Sequence, residues 1–332
     1  MNHPHRRNSM RALGAGLTLA GTAGLSPAVR AQSADWPNKP LRLVVGYPPG
    51  GSGDFTTRTA ADELARELNV TVIPENKPGA GGTIANELVA KAAPDGYTVL
   101  NAGPMALTNA LYRKLGYDSK KDFIPVCQLA VGPMIICVNN DLPVRNLREL
   151  IAYAKANPGK LNSAASGNGS TPHLASALFE SVAGVQFTTI QFRGGAPAAT
   201  STIAGDTQVM FATPPTVMGF IKAGRMRPLA VTTPQASAAI PGIPGAAEAG
   251  LPGYESTFSF GLYLPAAAPQ SIVRALHAAT VRAMARPGVK EKVASQGMDV
   301  ATSASPEEFA RLLAAGAPAI EQAVRVSGAK IE

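Results

Sequence analysis

Few side chains in this 332-residue chain carry the chemistry of a catalyst. The strongest candidates lie in Ser166-Gly-Asn-Gly-Ser-Thr-Pro-His173, where an imidazole follows two serines. A serine activated by a neighbouring histidine would make an acyl-transfer nucleophile, so Ser166 or Ser170 with His173 defines a hydrolase reading. The spacing is not diagnostic of it, and a histidine at a helix start serves equally as a cap or as a hydrogen-bonding group for a ligand. Other catalytic signatures are absent: no His-Glu-x-x-His, no Cys-x-x-Cys, no Gly-x-Ser-x-Gly and no Gly-Lys-Ser/Thr phosphate loop. Gly167-Asn168-Gly169 lacks the third glycine of a dinucleotide fingerprint and an acid placed to hold a ribose. No cofactor and no metal site is expected.

What the chain has instead is a set of uncharged, glycine-rich loops. In Val44-Val45-Gly46-Tyr47-Pro48-Pro49-Gly50-Gly51-Ser52-Gly53-Asp54, a β-branched run passes through Pro, Gly and Ser into a helical pattern. Such a loop lets a ligand approach the backbone, because glycine has no Cβ in the way. It ends at a helix N-terminus, where free N–H groups and the helix dipole favour an anion. An ordinary strand-to-helix turn would look the same. Asp54 is read as the N-cap of a helix starting at Phe55, its carboxylate spent on the backbone. Arg58, one turn in, reads as a surface or packing residue.

The same construction recurs. Val70 to Ile73 reads as a strand entering Asn76-Lys-Pro-Gly-Ala-Gly-Gly82, then a helix from Ile84 to Ala92 with Thr83 as a candidate cap. Tyr97 to Leu100 makes a third strand before a helix over Met105 to Tyr112. Three strand–loop–helix units in a row imply a mostly parallel sheet whose carboxyl-end loops converge on a site. Val126 to Val138, interrupted at Gly132-Pro133, reads as a pair of strands or a crossing between domains. The second half repeats the design: helix Leu147–Ala156, the loop Ser166–His173, a strand Gln186–Phe192 ending at Arg193-Gly194-Gly195, and strands Gln208–Ala212 and Met226–Val231. Arg193 is a cation in a loop of this kind, with a solvent-exposed turn residue as the plain alternative. Pro234 to Pro252 is expected to be irregular, followed by a strand Phe258–Leu264 and two terminal helices.

The N-terminus reads as an export signal, with Arg6, Arg7 and Arg11 before the apolar Ala12–Leu25 and small residues at Val29-Arg30-Ala31. Cleavage is placed near Ala31/Gln32, by the general secretory or twin-arginine route, leaving an exported, periplasmic chain. Losing residues 1–31 removes four arginines and no acids, so the formal charge of +8 falls to about +4. With no dense Lys/Arg tract and few aromatics, a nucleic-acid partner is not expected. Cys127 and Cys137 are read as two buried thiols in preference to a disulfide.

Taken together, Tyr47-Pro-Pro-Gly-Gly-Ser-Gly-Asp54, Asn76-Lys-Pro-Gly-Ala-Gly-Gly82, Ser166-Gly-Asn-Gly-Ser-Thr-Pro-His173, Phe192-Arg-Gly194 and Glu248-Ala-Gly-Leu-Pro-Gly253 resemble the Bug-type, TctC-like extracytoplasmic solute receptors of tripartite tricarboxylate transporters. The resemblance runs from about Trp36 to the C-terminus. It implies an α/β fold of the two-domain periplasmic-binding-protein type, with a ligand cleft between the domains. Residues 32–131 and 256–332 would form the first domain and residues 132–255 the second. It implies a non-enzymatic monomer that binds a small organic carboxylate and hands it to membrane permease subunits. Carried over residue by residue, the ligand would meet Tyr47, Gly50, Gly51, Ser52, Asp54, Ala80, Gly81 and Gly82 on one side. Ser166, Asn168, Thr171, His173, Phe192, Arg193 and Gly194 would lie opposite. Ala212 and Ser201 stand where the family commonly has aspartates, and Ser259 replaces a common aromatic. The missing acid at Ala212 argues against an amino-acid ligand and for a di- or tricarboxylate or an aromatic acid. The alternatives are the exported Ser/His hydrolase and a ligand-sensing partner of a membrane signalling protein.

Overall fold

The computed structural model describes residues 36–104, 111 and 115–329. The expected signal peptide and most of the expected helix over Met105 to Tyr112 lie outside the described residues.

Two mixed sheets organise the chain. Strands β1 (Leu41–Val45), β2 (Val72–Asn76) and β3 (Thr98–Ala102) alternate with helices α1 (Ser52–Leu68) and α2 (Thr83–Ala90), the latter entered through a short 3-10 turn, Ala80–Gly82. The apolar run of β1 is buried at Leu41, Leu43, Val44 and Val45, which places it inside the sheet between β2 and β3, parallel to both. Beyond β3 come the antiparallel strands β4 (Phe123–Pro133) and a C-terminal strand over Thr257–Pro265, so the expected mostly parallel sheet is in fact mixed.

The apolar stretch around Gly132-Pro133 is a pair of strands that crosses from one sheet to the other. It comprises β4 in the first sheet and β5 (Ile135–Val138) in the second, with Met134 between them. The second sheet adds α3 (Leu147–Ala156), β6 (Asn162–Ala165), α4 (Thr171–Ala183), β7 (Thr188–Gln191), α5 (Gly195–Ala204), β8 (Val209–Ala212), α6 (Pro214–Lys222) and β9 (Arg227–Val231). Here β7, β6 and β8 are parallel, and β5 runs antiparallel to both of its neighbours, β8 and β9. The chain returns to the first sheet as β10 (Thr257–Pro265) and ends with α7 (Gln270–Met284), α8 (Val289–Ala294), β11 (Asp299–Val300) and α9 (Pro306–Ser327). The sheet orders are β11-β4-β10-β3-β1-β2 and β7-β6-β8-β5-β9.

The outgoing and returning crossings are tied together. Met134 N–H donates to the Thr232 hydroxyl at 2.8 Å, Thr232 N–H to the Met134 carbonyl at 2.9 Å, and Ser256 N–H to the Thr232 carbonyl at 2.9 Å. Helix α9 also bridges the halves: Phe309 packs with Val44, Leu100 and Tyr263 of the first sheet, while Ala323 and Val324 pack on Leu174 of α4. Both cysteines are free and buried, on β4 and β5 in different sheets. Burial pushes the Cys127 thiol up to about 11 and the Cys137 thiol further, so neither is a ready nucleophile.

Candidate functional site

Parallel pairing brings the glycine-rich loops to one edge of each sheet. The register Val45↔Asn76 places the starts of the first and second loops side by side. Their backbones nearly touch: a Cβ at Gly46 would lie 2.6 Å from Gly82 Cα, so only glycine fits there. Gly79, Gly81 and Gly82 all have positive φ, which lets the 3-10 turn fold tightly against the first loop. In the other half, Phe192 N–H donates to the Ala165 carbonyl at 2.8 Å, and a Cβ at Gly167 would meet the Phe192 carbonyl oxygen at 3.8 Å. The loops holding Ser166–Ser170 and Phe192–Gly194 therefore share one rim. The two rims also meet, since a Cβ at Gly194 would sit 3.4 Å from Pro48 Cγ.

Helix α1 begins at Ser52, earlier than expected, and its N-cap is Gly51, with no side-chain cap. The reading of Asp54 as N-cap is thus corrected: Asp54 is the third helical residue. From there its carboxylate reaches back to Gly50 N–H at 3.1 Å and also accepts from Asn76 Nδ2 at 2.9 Å and Arg58 Nε at 3.0 Å. Burial works against the ionised form, but hydrogen bonds from Arg58, Asn76 and Gly50 more than offset it and hold the carboxyl below its ordinary value. Asn76 completes the network by donating to the Tyr47 carbonyl at 2.9 Å and accepting from Arg58 at 3.2 Å. Asp54 thus shapes the loop from behind.

Besides α1, three helices enter this region on a glycine or threonine with no side-chain cap: α2 at Gly82, α5 at Gly194 and α6 at Thr213. The first amides of α1, from Ser52 to Asp54, have no intrahelical acceptor, because the first such bond is Phe55 N–H to Gly51 at 2.9 Å. The Ser52 hydroxyl is buried without a partner. By contrast α3 and α9, away from the loops, are capped by Asn146 and Ser305, whereas α7 and α8 show that an uncapped start is not confined to the rims.

Tyr47 lies edge-on to Phe260 at 6.1 Å, and Gly53 makes room for its ring. Burial, helped by Tyr117, pushes the Tyr47 phenol up to about 12, so it stays a neutral donor. Asn101, fully buried near the end of β3, donates to the Thr57 hydroxyl at 2.8 Å and the Thr56 hydroxyl at 3.0 Å, steadying the second turn of α1. Thr83 is the first residue of α2 and not its cap; its hydroxyl donates to the Ala80 carbonyl at 3.0 Å.

Opposite, Ser170 caps α4 by accepting from His173 N–H, and the His173 ring accepts Gly169 N–H at Nδ1, 3.0 Å away. Burial lowers the His173 pKa, so the ring is neutral near neutral pH. Among the described residues no hydrogen bond joins this imidazole to the Ser166 or Ser170 side chain, and the nucleophile–base contact of a hydrolase is not formed. Arg193 is exposed and makes no ion pair among the described residues. The sequence reading missed Asn76, Arg58 and Asn101 as positioning residues, although Asn76 opens one of the quoted motifs. No group of His, Cys, Asp and Glu able to hold a metal occurs among the described residues.

Two glycine-rich rims facing each other from paired mixed sheets define a solute-binding fold of the periplasmic type. The chain belongs to the tripartite tricarboxylate transporter family receptors, whose sequence model matches residues 56–321. It is 31% identical over 314 residues to BugT of Bordetella pertussis, covering 94% of this chain and 95% of BugT. Among solved structures it is similar to Rpa4515 of R. palustris with adipate, at TM-score 0.85 and 32% identity, covering 90% of this chain and all of that one. It is likewise similar to MatC of Rhodopseudomonas palustris with bound malate, at TM-score 0.81 and 29% identity, over 87% of this chain and all of that one.

Proposed function

We propose that the protein is an exported, non-enzymatic receptor that captures a small organic carboxylate between the two rims and delivers it to the permease subunits of a tripartite transporter. The observation that carries this reading is the meeting of the glycine-capped starts of α1 and α5 across Pro48 and Gly194, with α2 beside them. Unsatisfied amides at helix N-termini favour an anion, and a carboxylate has the lone pairs to take several of them. Arg193 adds positive charge on the opposite rim, and Asp54, whose charge would oppose the ligand, is already compensated by Arg58. Adipate and malate in the related structures support the ligand class. Ala212, fully buried at the end of β8, offers no carboxylate to an ammonium group, which favours acids without an amino group.

The lobes of this receptor are residues 32–131 with 256–332, and residues 132–255. The Met134–Thr232–Ser256 clasp is their hinge, and ligand binding shifts the open–closed balance. A thermal-shift screen of the mature chain with a carboxylate panel tests the function. The expected result is a raised melting temperature with one or a few acids and no loss of any acid by mass spectrometry. Turnover of a panel member, abolished by His173→Ala, would instead establish the hydrolase.

A further inference from the structure

A cavity of about 440 Å³ opens beside the candidate site, between β10, α4 and α9. It falls within the usual size of a small-molecule pocket, roughly 300–1,000 Å³. Tyr47 and Thr171, one from each rim, line it, so it borders the region assigned to the carboxylate. Its wall is largely apolar, with Leu174, Leu178, Phe260, Phe309, Leu313 and Ile320. Glu255 is the one charged side chain among the described lining residues, and it makes no ion pair among them. Leu312, also on the wall, is 46% exposed, a large apolar side chain left to water.

From this adjacency, the apolar wall and the charge we infer that the cavity takes the uncharged tail of the ligand, so that the preferred substrates are monocarboxylates with an apolar alkyl or aryl body. The inference rests on the receptor reading above. The head group binds at the loop amides, and the tail passes Tyr47 into the cavity. A second carboxylate at the tail's end would leave water for an apolar wall and meet Glu255, with no cation among the described lining residues to receive it. This choice differs from the dicarboxylates adipate and malate seen in the related structures.

Hexanoate and adipate form a matched pair, equal in length and differing only in the distal carboxylate. Calorimetric titration of the mature chain with propionate, hexanoate, 4-phenylbutyrate, adipate and malate is the test. Affinity should rise roughly fourfold per buried methylene from propionate to hexanoate, and hexanoate should exceed adipate by at least about tenfold, the equivalent of about 1.4 kcal/mol. Gly316→Leu fills the cavity from α9, where an added Cβ meets nothing within 4 Å and a helix favours leucine over glycine. It should remove the gain for hexanoate and phenylbutyrate while leaving propionate unchanged. Glu255→Gln, at an exposed position, should narrow the gap between hexanoate and adipate. Adipate or malate binding more tightly than hexanoate, with Gly316→Leu without effect on either, overturns the inference and leaves the carboxylate receptor standing. Failure of every acid to bind overturns both.

Discussion

The two rims of the site are built by opposite means. The first is wired by charge: Asp54, Arg58 and Asn76 join α1, β2 and the Tyr47 carbonyl in one hydrogen-bonded unit. The second is held by neutral contacts, with His173 taking the Gly169 amide and Ser170 capping α4, and its one cation, Arg193, is left exposed and unpaired among the described residues. A rim whose amides are fixed in advance loses little entropy when an anion docks. A neutral rim with a free cation is suited to completing the contact after closure. The first rim is therefore expected to supply most of the affinity, and the second to complete the contact.

The largest expected effect breaks the first rim. Gly51 has φ −99° and an added Cβ meets nothing within 4 Å, so Gly51→Val should fold normally. Its side chain should displace the ligand or turn the amides away. Losing two hydrogen bonds to a charged group, at roughly 1.5–3 kcal/mol each, weakens binding on the order of 100-fold or more. Calorimetry on the variant, with circular dichroism to confirm folding, checks this; near-normal affinity would remove the ligand from this loop. On the second rim, Arg193→Ala should weaken binding about tenfold, or about 1.4 kcal/mol. The wild type should lose part of that advantage in high salt, because an exposed charge is screened. Equal affinity for the two proteins at low salt would leave Arg193 as a turn residue.

Asn76→Ala should have a milder effect, several-fold in affinity, since it frees the Tyr47 carbonyl without touching the ligand. Its melting temperature should also fall, by the equivalent of roughly 1.5–3 kcal/mol for a lost hydrogen bond to a charged group. The smallest effect concerns pH. Asp54 and His173 both have folded pKa values below their ordinary 3.8 and 6.5, so the unfolded chain binds protons first as pH falls. Their stabilisation is complete above those values and is lost on acidification, from 6.5 downward for His173 and from 3.8 downward for Asp54. Thermal melts of His173→Gln should show a flatter stability profile just below pH 6.5. An unchanged slope would show that the imidazole is not held neutral.

Much of this contrast was open to sequence reading, and the unread part has a common cause. Glycine loops between apolar runs announce strand–loop–helix units, and their repetition points to the loops of both rims, while the residues on them came from the family resemblance. The break at Gly132-Pro133 was likewise visible, though not that its two strands lie in different sheets. Elements as short as α8 and β11 carry too little periodicity to be seen. Asp54 was misplaced because helix starts are uncertain by a residue or two, and here that shift changes a cap into a loop brace. The Asp54–Asn76 bond spans 22 residues and depends on the β1–β2 register, which no local pattern encodes. The cavity was hidden for the same reason, as its walls come from α4, β10 and α9, far apart in the chain.

The central claim is that one ligand engages both rims at once. Hydrogen exchange of the mature protein, with and without a saturating carboxylate found in the screen, reads it directly at the backbone amides. Slowed exchange is expected in two separated peptides, one covering Gly50 to Asp54 and one covering Phe192 to Ala196, in the same titration. Protection confined to one of them, or appearing only elsewhere in the chain, would contradict the account.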